Sequence, residues 1–324
     1  MRSPLTWAVT ATALLATSST AMAHGAGDDN LAEHWWDAWT ISPVQLVPIA
    51  LVMVLYGVRA HTLGRRLPIW RQLSFYAGMV VFALALASPI DAVGEEGLVS
   101  IHMLQHALIG GIAPLLAVLG LTGAVLQPIL KYDWVRRLSV LAHPLVALPL
   151  WVATLIFWHV PAVYEFGVTN DAAHALEHAT FFAATALLWM PIVEPLPAPE
   201  WFGTGAKLIY LLAVWFIGII FVNIFWFSGT VLYERYEAVA HDWGVTALQD
   251  QGNAGSVFMV EHMLILLTAL VVLGFRFAHE SMARQRLLEA GLDRDAVVRA
   301  VRHGRAGALA RSAGVSLTTR PGID

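Results

Sequence analysis

Seven stretches near 43–60, 73–90, 98–119, 141–160, 173–193, 206–227 and 255–277 are almost wholly apolar. Each is close to the roughly 20 residues that a helix needs to cross the hydrocarbon core of a bilayer. A helix is suited to that medium because it satisfies its own backbone N–H and C=O groups where no water can. The sequence is therefore read as an all-α integral membrane protein, a bundle of seven transmembrane helices. Composition agrees: 58% of residues are hydrophobic, 13% are charged and the mean hydropathy is +0.65, more apolar than a water-soluble core of 324 residues requires. Cysteine is absent, which excludes disulfides, thiolate metal sites and cysteine nucleophiles.

The connections alternate in charge. "RAHTLGRRLPIWR" and "KYDWVRR" are basic, whereas "DAVGEEG" and "EFGVTNDAA" are acidic or neutral. Placing the basic loops in the cytoplasm puts four Lys and Arg in the first inner loop, three in the second, Lys207 beside the third and nine from Arg276 onward, 17 of the 19 in all. This predicts an external amino terminus and a cytoplasmic carboxyl terminus in a bacterial plasma (inner) membrane. Residues 1–23, with Arg2, a short apolar run and Ala21-Met22-Ala23, fit a signal peptide cleaved after Ala23. Residues 24–42 then form an exported segment carrying His24, His34 and a tryptophan cluster, residues 43–278 the helical bundle, and residues 279–324 a basic, solvated cytoplasmic tail resting on anionic lipid. Gly110-Gly111 beside Pro114 predicts a bent, closely packed third span.

On this topology the histidines gather at one level. His102 and His106 fall in the outer half of span three, His159 at the outer end of span four, His174 and His178 at the outer start of span five, and His262 in the outer part of span seven. Polar groups in the bilayer core are costly and mark function by default. A single such histidine is more simply a buried imidazole bonded to a carbonyl. Two pairs at i and i+4 reverse that preference, since such residues share a helix face with Cβ atoms about 5–6 Å apart. "HMLQH" and "HALEH" can each chelate one ion.

Neutral imidazole suits copper, zinc and iron, and thioether sulfur selects copper(I). Met103, with Met259 and Met263 around His262, tilts the expectation towards copper. Asp171, three residues before His174, either orients that ring or caps its helix. Glu177 and Glu261 serve as helix-to-helix hydrogen-bonding groups or in a metal or proton role.

Other chemistries fit parts of the pattern. "HALEH" matches H-x-x-E-H, in which two histidines bind zinc and the glutamate activates water, but no soluble catalytic domain accompanies it. A haem protein would use single histidines on facing helices. A transporter would carry polar groups through the midplane, and the inner halves of these spans have almost none.

Over roughly residues 40–280 the sequence resembles the multi-spanning CtaG-type assembly factors of cytochrome c oxidase (caa-type). The resemblance rests on "HMLQHALIGGIAPLLAVLG", on "FWHVPAVYEFGVTNDAAHALEHATFFAATALLWMPIVEP" and on "QDQGNAGSVFMVEHML". It implies a non-enzymatic role in supplying copper to a haem-copper oxidase, with oxidase subunits, a copper chaperone and membrane lipid as partners and no nucleic acid. It also implies His102, His106, His159, His174 and His178 as a polar outer cluster, with Asp250 and Gln251 near its mouth. The chain departs from the pattern at Phe258-Met259-Val260, where Met-Trp is usual, and at Glu261-His262, where apolar residues are usual.

Overall fold

The computed structural model describes residues 31–317, which contain helices and no strands. The predicted signal peptide, residues 1–23, and His24 lie outside the described residues. The helices used below are α1 (Pro43–Leu63), α2 (Ile69–Ala87), α3 (Pro89–Glu96), α4 (Val99–Ala107), α5 (Ala113–Gly120), α6 (Pro144–His159), α7 (Pro161–Thr169), α8 (Asp171–Val193), α9 (Thr204–Phe227), α10 (Ala247–Glu289), α11 (Arg294–Arg302) and α12 (Ala306–Ser312).

Among the described residues, six helical segments are long and apolar enough to cross a membrane, or seven if one bent pair counts as a single span. That pair is the fourth predicted segment. Asp133–Ala142 and α6 meet at 75°, because His143 precedes Pro144 and takes the extended backbone that a following proline favours. The second span stops at Ala87 for the same reason: Ser88 is extended and Pro89 opens α3.

The α-helix of the third span is interrupted at the place where the sequence predicted a bend. Between α4 and α5 the residues Leu108–Ile112 form one π-helical turn. Pro114 lacks an N–H and its ring would crowd the carbonyl of Gly110, and a wider turn accommodates both effects. Close packing is also present. A Cβ on Gly78 of α2 would lie 2.6 Å from the Ala113 carbonyl oxygen and 2.8 Å from the Ala117 nitrogen, so only glycine permits this approach of α2 to α5. Arg71 donates to the Leu119 and Leu121 carbonyls, each at 2.9 Å, closing the end of α5.

The chain divides into two compact units, one comprising residues up to Pro197 with Gly218–Glu261, the other Ala198–Ile217 with the chain from His262 onward. In the second unit the expected solvated tail has a core of its own: Leu287, Val297, Val301 and Ala310 are buried, with Leu309 and Leu317 against them. Val297 and Val301 lie four apart on α11, so the pattern "DRDAVVRAVRHG" presents one apolar face. Arg286 donates to the Leu317 carbonyl, and Arg302 donates to that of Pro199 at 3.3 Å. In the first unit, half or more of the most apolar stretch of each span that carries a histidine pair, Val99–Gly120 and Asp171–Val193, is buried, against 17% for the first span.

Candidate metal centre

Three helices of the first unit build the centre. α4 is started by Asp250, whose carboxylate accepts the Val99 N–H at 2.7 Å and the Ser100 N–H at 3.3 Å. α8 is started by Asn170, whose side chain accepts the Ala173 N–H at 3.0 Å. α3 lies against α4 at Gly94, where a Cβ would stand 2.9 Å from the His102 Cα.

The helical spacing pairs His102 with His106, ring centroids 4.3 Å apart, and His174 with His178, 4.2 Å apart. Packing of α4 against α8 then brings the pairs together. His102 stacks on His174 at 5.8 Å with 13° between planes, and His106 meets the edge of His178 at 5.7 Å. One nitrogen from each of His102, His106 and His174 lies within 4.8 Å of the others. Ligand atoms about 2.1 Å from a common ion are at most about 4.2 Å apart, so small side-chain rotations suffice to close the set.

These groups are deeply buried, with His102 and Glu177 0% exposed. Both ring nitrogens of His102, His106 and His178, Nε2 of His174 and both Glu177 oxygens have no hydrogen-bond partner among the described residues. Glu177 Oε1 stands 3.6 Å from His106 Nε2. An orphaned buried polar group costs about 1–3 kcal/mol, and several in one place are what a bound cation would relieve. The donor set of imidazole nitrogens and carboxylate oxygens fits a borderline metal ion such as copper or zinc.

Between residues 50 and 280 the chain matches the family described as cytochrome c oxidase caa3 assembly factor (Caa3_CtaG). The chain belongs to that family. No curated protein and no solved structure matches it. Within this caa3 assembly factor the remaining expected site residues are distributed unevenly.

His159 borders the cluster, its ring 6.0 Å from His106 and 4.4 Å from Phe221. Its Nδ1 pairs with the Leu155 carbonyl at 2.8 Å, an arrangement that leaves Nε2 as the lone-pair nitrogen. Met103 is buried in α4, but adjacent helical positions are about 100° apart, which turns it off the face shared by His102 and His106. Asp171 does not orient His174. It is exposed in the first turn of α8, and Glu95 of α3 meets His174 Nδ1 at 2.7 Å instead. Asp171 is also not the cap, a place held by Asn170.

The last span contributes differently from expectation. Asp250 and Gln251 bind backbone: Gln251 Oε1 accepts the Leu232 N–H at 2.7 Å, and Nε2 donates to the carbonyls of Thr230 at 3.2 Å and Phe225 at 3.4 Å. The Glu261 carboxylate fills the space that a side chain on Gly111 would take. His262, in the second unit, has Nε2 3.2 Å from the Val214 carbonyl oxygen.

Several residues at the centre escaped the sequence reading. Asp91 and Glu95 are i and i+4 on α3, a spacing that was available in "DAVGEEG". Asp91 Oδ1 accepts from Gln105 Nε2 at 2.6 Å, and that amide also donates to the Ala85 carbonyl at 3.0 Å. Burial, reinforced by neighbouring Glu95, pushes the Asp91 carboxyl up to about 7. Tyr236 donates to the Gly94 carbonyl at 2.7 Å, so Tyr164, 2.7 Å away, donates to Tyr236. Burial raises both hydroxyls well above their ordinary value. Tyr164 stacks on Tyr233 at 3.9 Å and lies 5.1 Å from His102.

Proposed function

We propose that this caa3 assembly factor serves oxidase assembly by holding a copper ion as cargo and releasing it to an oxidase subunit or a copper chaperone. The observation that carries this reading is the convergence of His102, His106 and His174 with buried nitrogens that nothing in the described chain satisfies. His178, His159 and Glu177 complete the polar lining. Imidazole accepts copper, and the family's oxidase provides the destination. Glu177 is wholly buried among the imidazoles, out of reach of a peptide bond, which favours holding and transfer over hydrolysis. The positive-inside distribution of the sequence supports a centre towards the outer face of a bacterial plasma membrane.

Metal content of the purified full-length protein in mild detergent tests the reading. Copper bound at one ion per chain is expected for the wild type. It should be lost in the His102→Ala, His106→Ala double variant and in the His174→Ala, His178→Ala double variant, and kept in His262→Ala. Unchanged stoichiometry in both double variants would defeat it. In cells, deletion should leave oxidase polypeptide and haem in place with low oxidase copper, partly restored by added copper. Reporters fused at Gly94 and Asn170 should read external, and those at Arg137 and Arg286 cytoplasmic.

A further inference from the structure

The centre is closed on nearly every side, which raises the question of how a hydrated ion reaches it. His106 and His174 are 7% exposed and His178 3%. Of the two carboxylates that meet an imidazole of the cluster, Glu177 is buried and Glu95 is accessible, with 29% of its side chain exposed. α3 is held in register by the contact of Gly94 with His102 and by the Tyr236 hydroxyl on the Gly94 carbonyl, so Glu95 projects from an anchored helix. It meets His174 at Nδ1, while the opposite nitrogen of that ring, Nε2, is buried and without a partner among the described residues. One imidazole thus connects an accessible carboxylate to the closed interior.

We infer that Glu95 is the first ligand of the centre, on which a hydrated divalent cation docks from the adjoining aqueous phase before passing by way of His174 to His102 and His106, so that copper is taken up as copper(II). The inference rests on the copper reading above and specifies its route and oxidation state. A bare ion cannot leave water for a low-dielectric interior without replacement ligands, and a carboxylate oxygen replaces the first waters of a dication. Carboxylate and imidazole are hard to borderline donors, whereas copper(I) prefers the soft sulfur of Cys or Met. Cysteine is absent and Met103 is turned off the pair's face. The transfer is ligand exchange alone, with no change in the metal's electron count. The Glu95 side chain has rotatable torsions that let its carboxylate move from the accessible position to the imidazole edge.

Glu95→Gln separates docking from orientation, because the amide oxygen can still accept the His174 N–H while the charge is gone. Full-length protein in detergent is mixed with aqueous copper(II) sulfate, and loading is followed by quenching of tryptophan fluorescence, with final stoichiometry from equilibrium dialysis. Expected for Glu95→Gln is unchanged stoichiometry with loading slowed tenfold or more. Wild-type loading should slow as ionic strength rises, a measurement that does not depend on the variant folding, and Glu95→Asp should load within about threefold of the wild type. Anaerobic loading with copper(I) should be the same in wild type and Glu95→Gln. Equal copper(II) loading rates in wild type and Glu95→Gln, or a salt-independent wild-type rate, overturn the docking role. Equal slowing with copper(I) overturns the copper(II) assignment. Wild type that binds copper in neither state overturns the copper reading itself, a result distinct from the others.

Discussion

Two buried polar regions of the same unit contrast sharply. At the corner formed by Asp250 and Gln251, each only 1% exposed, side-chain oxygens and the amide nitrogen find backbone partners at the start of α4 and in the loop between α9 and α10. In the histidine cluster, the buried ring nitrogens of His102, His106 and His178 find none among the described residues. The corner is completed by folding, and its polar groups contribute stability. The cluster opposes folding until something outside the chain satisfies it. Satisfaction of hydrogen bonds therefore separates structural from functional polarity better than burial or residue type does.

The steepest test of this contrast uses pH at the rim of the cluster. Asp91 in the folded protein holds its proton up to about 7, against an ordinary value of 3.8. The folded state then binds more protons than the unfolded state between those values. Stability should fall as pH rises from about 4 to about 7, by up to about 1.4 kcal/mol per pH unit, and level off above. Thermal unfolding across this range should show the slope in wild type and lose it in Asp91→Asn; a slope retained in the variant would assign it to another group.

Next in size is the corner itself. Asp250→Ala leaves the first N–H groups of α4 buried without acceptors and should cost about 3 kcal/mol. Removing both histidines of α4 should leave the metal-free protein within about 1 kcal/mol of wild type, or more stable, since orphaned groups are lost along with the packing. Equal destabilisation by the two changes, read from unfolding midpoints in detergent, would erase the contrast.

Gly94→Ala probes the packing of α3 on α4. Its Cβ would meet the backbone of His102 at 2.9 Å, and the resulting shift should cost about 2 kcal/mol while separating Glu95 from His174. Weaker copper binding than wild type is expected, and an unaltered affinity would show that the fit of α3 on α4 does not matter to the centre. The smallest effect is expected for Tyr236→Phe, which loses the hydrogen bond to the Gly94 carbonyl at about 1 kcal/mol. A loss of several kcal/mol would mean that the tyrosine chain supports more of the structure than its hydrogen bonds.

The information carried along the chain is local. The length of the apolar runs located the candidate spans, but a run of apolar residues does not show the 75° turn at His143 that makes the fourth a bent pair. The i and i+4 spacing established that His102 pairs with His106 and His174 with His178, since a helix repeats every 3.6 residues wherever it is placed. Tertiary structure decided which faces meet. It set α4 against α8 so that the two pairs form one cluster. It brought Glu95, 79 positions from His174, to the place expected of Asp171, and it took Asp250 across 151 residues to cap α4. It also gave His262 the Val214 carbonyl as partner. Periodicity records which way a side chain leaves its own helix, but the partner it meets depends on packing register and helix ends, which arise only when distant segments bury their surfaces together.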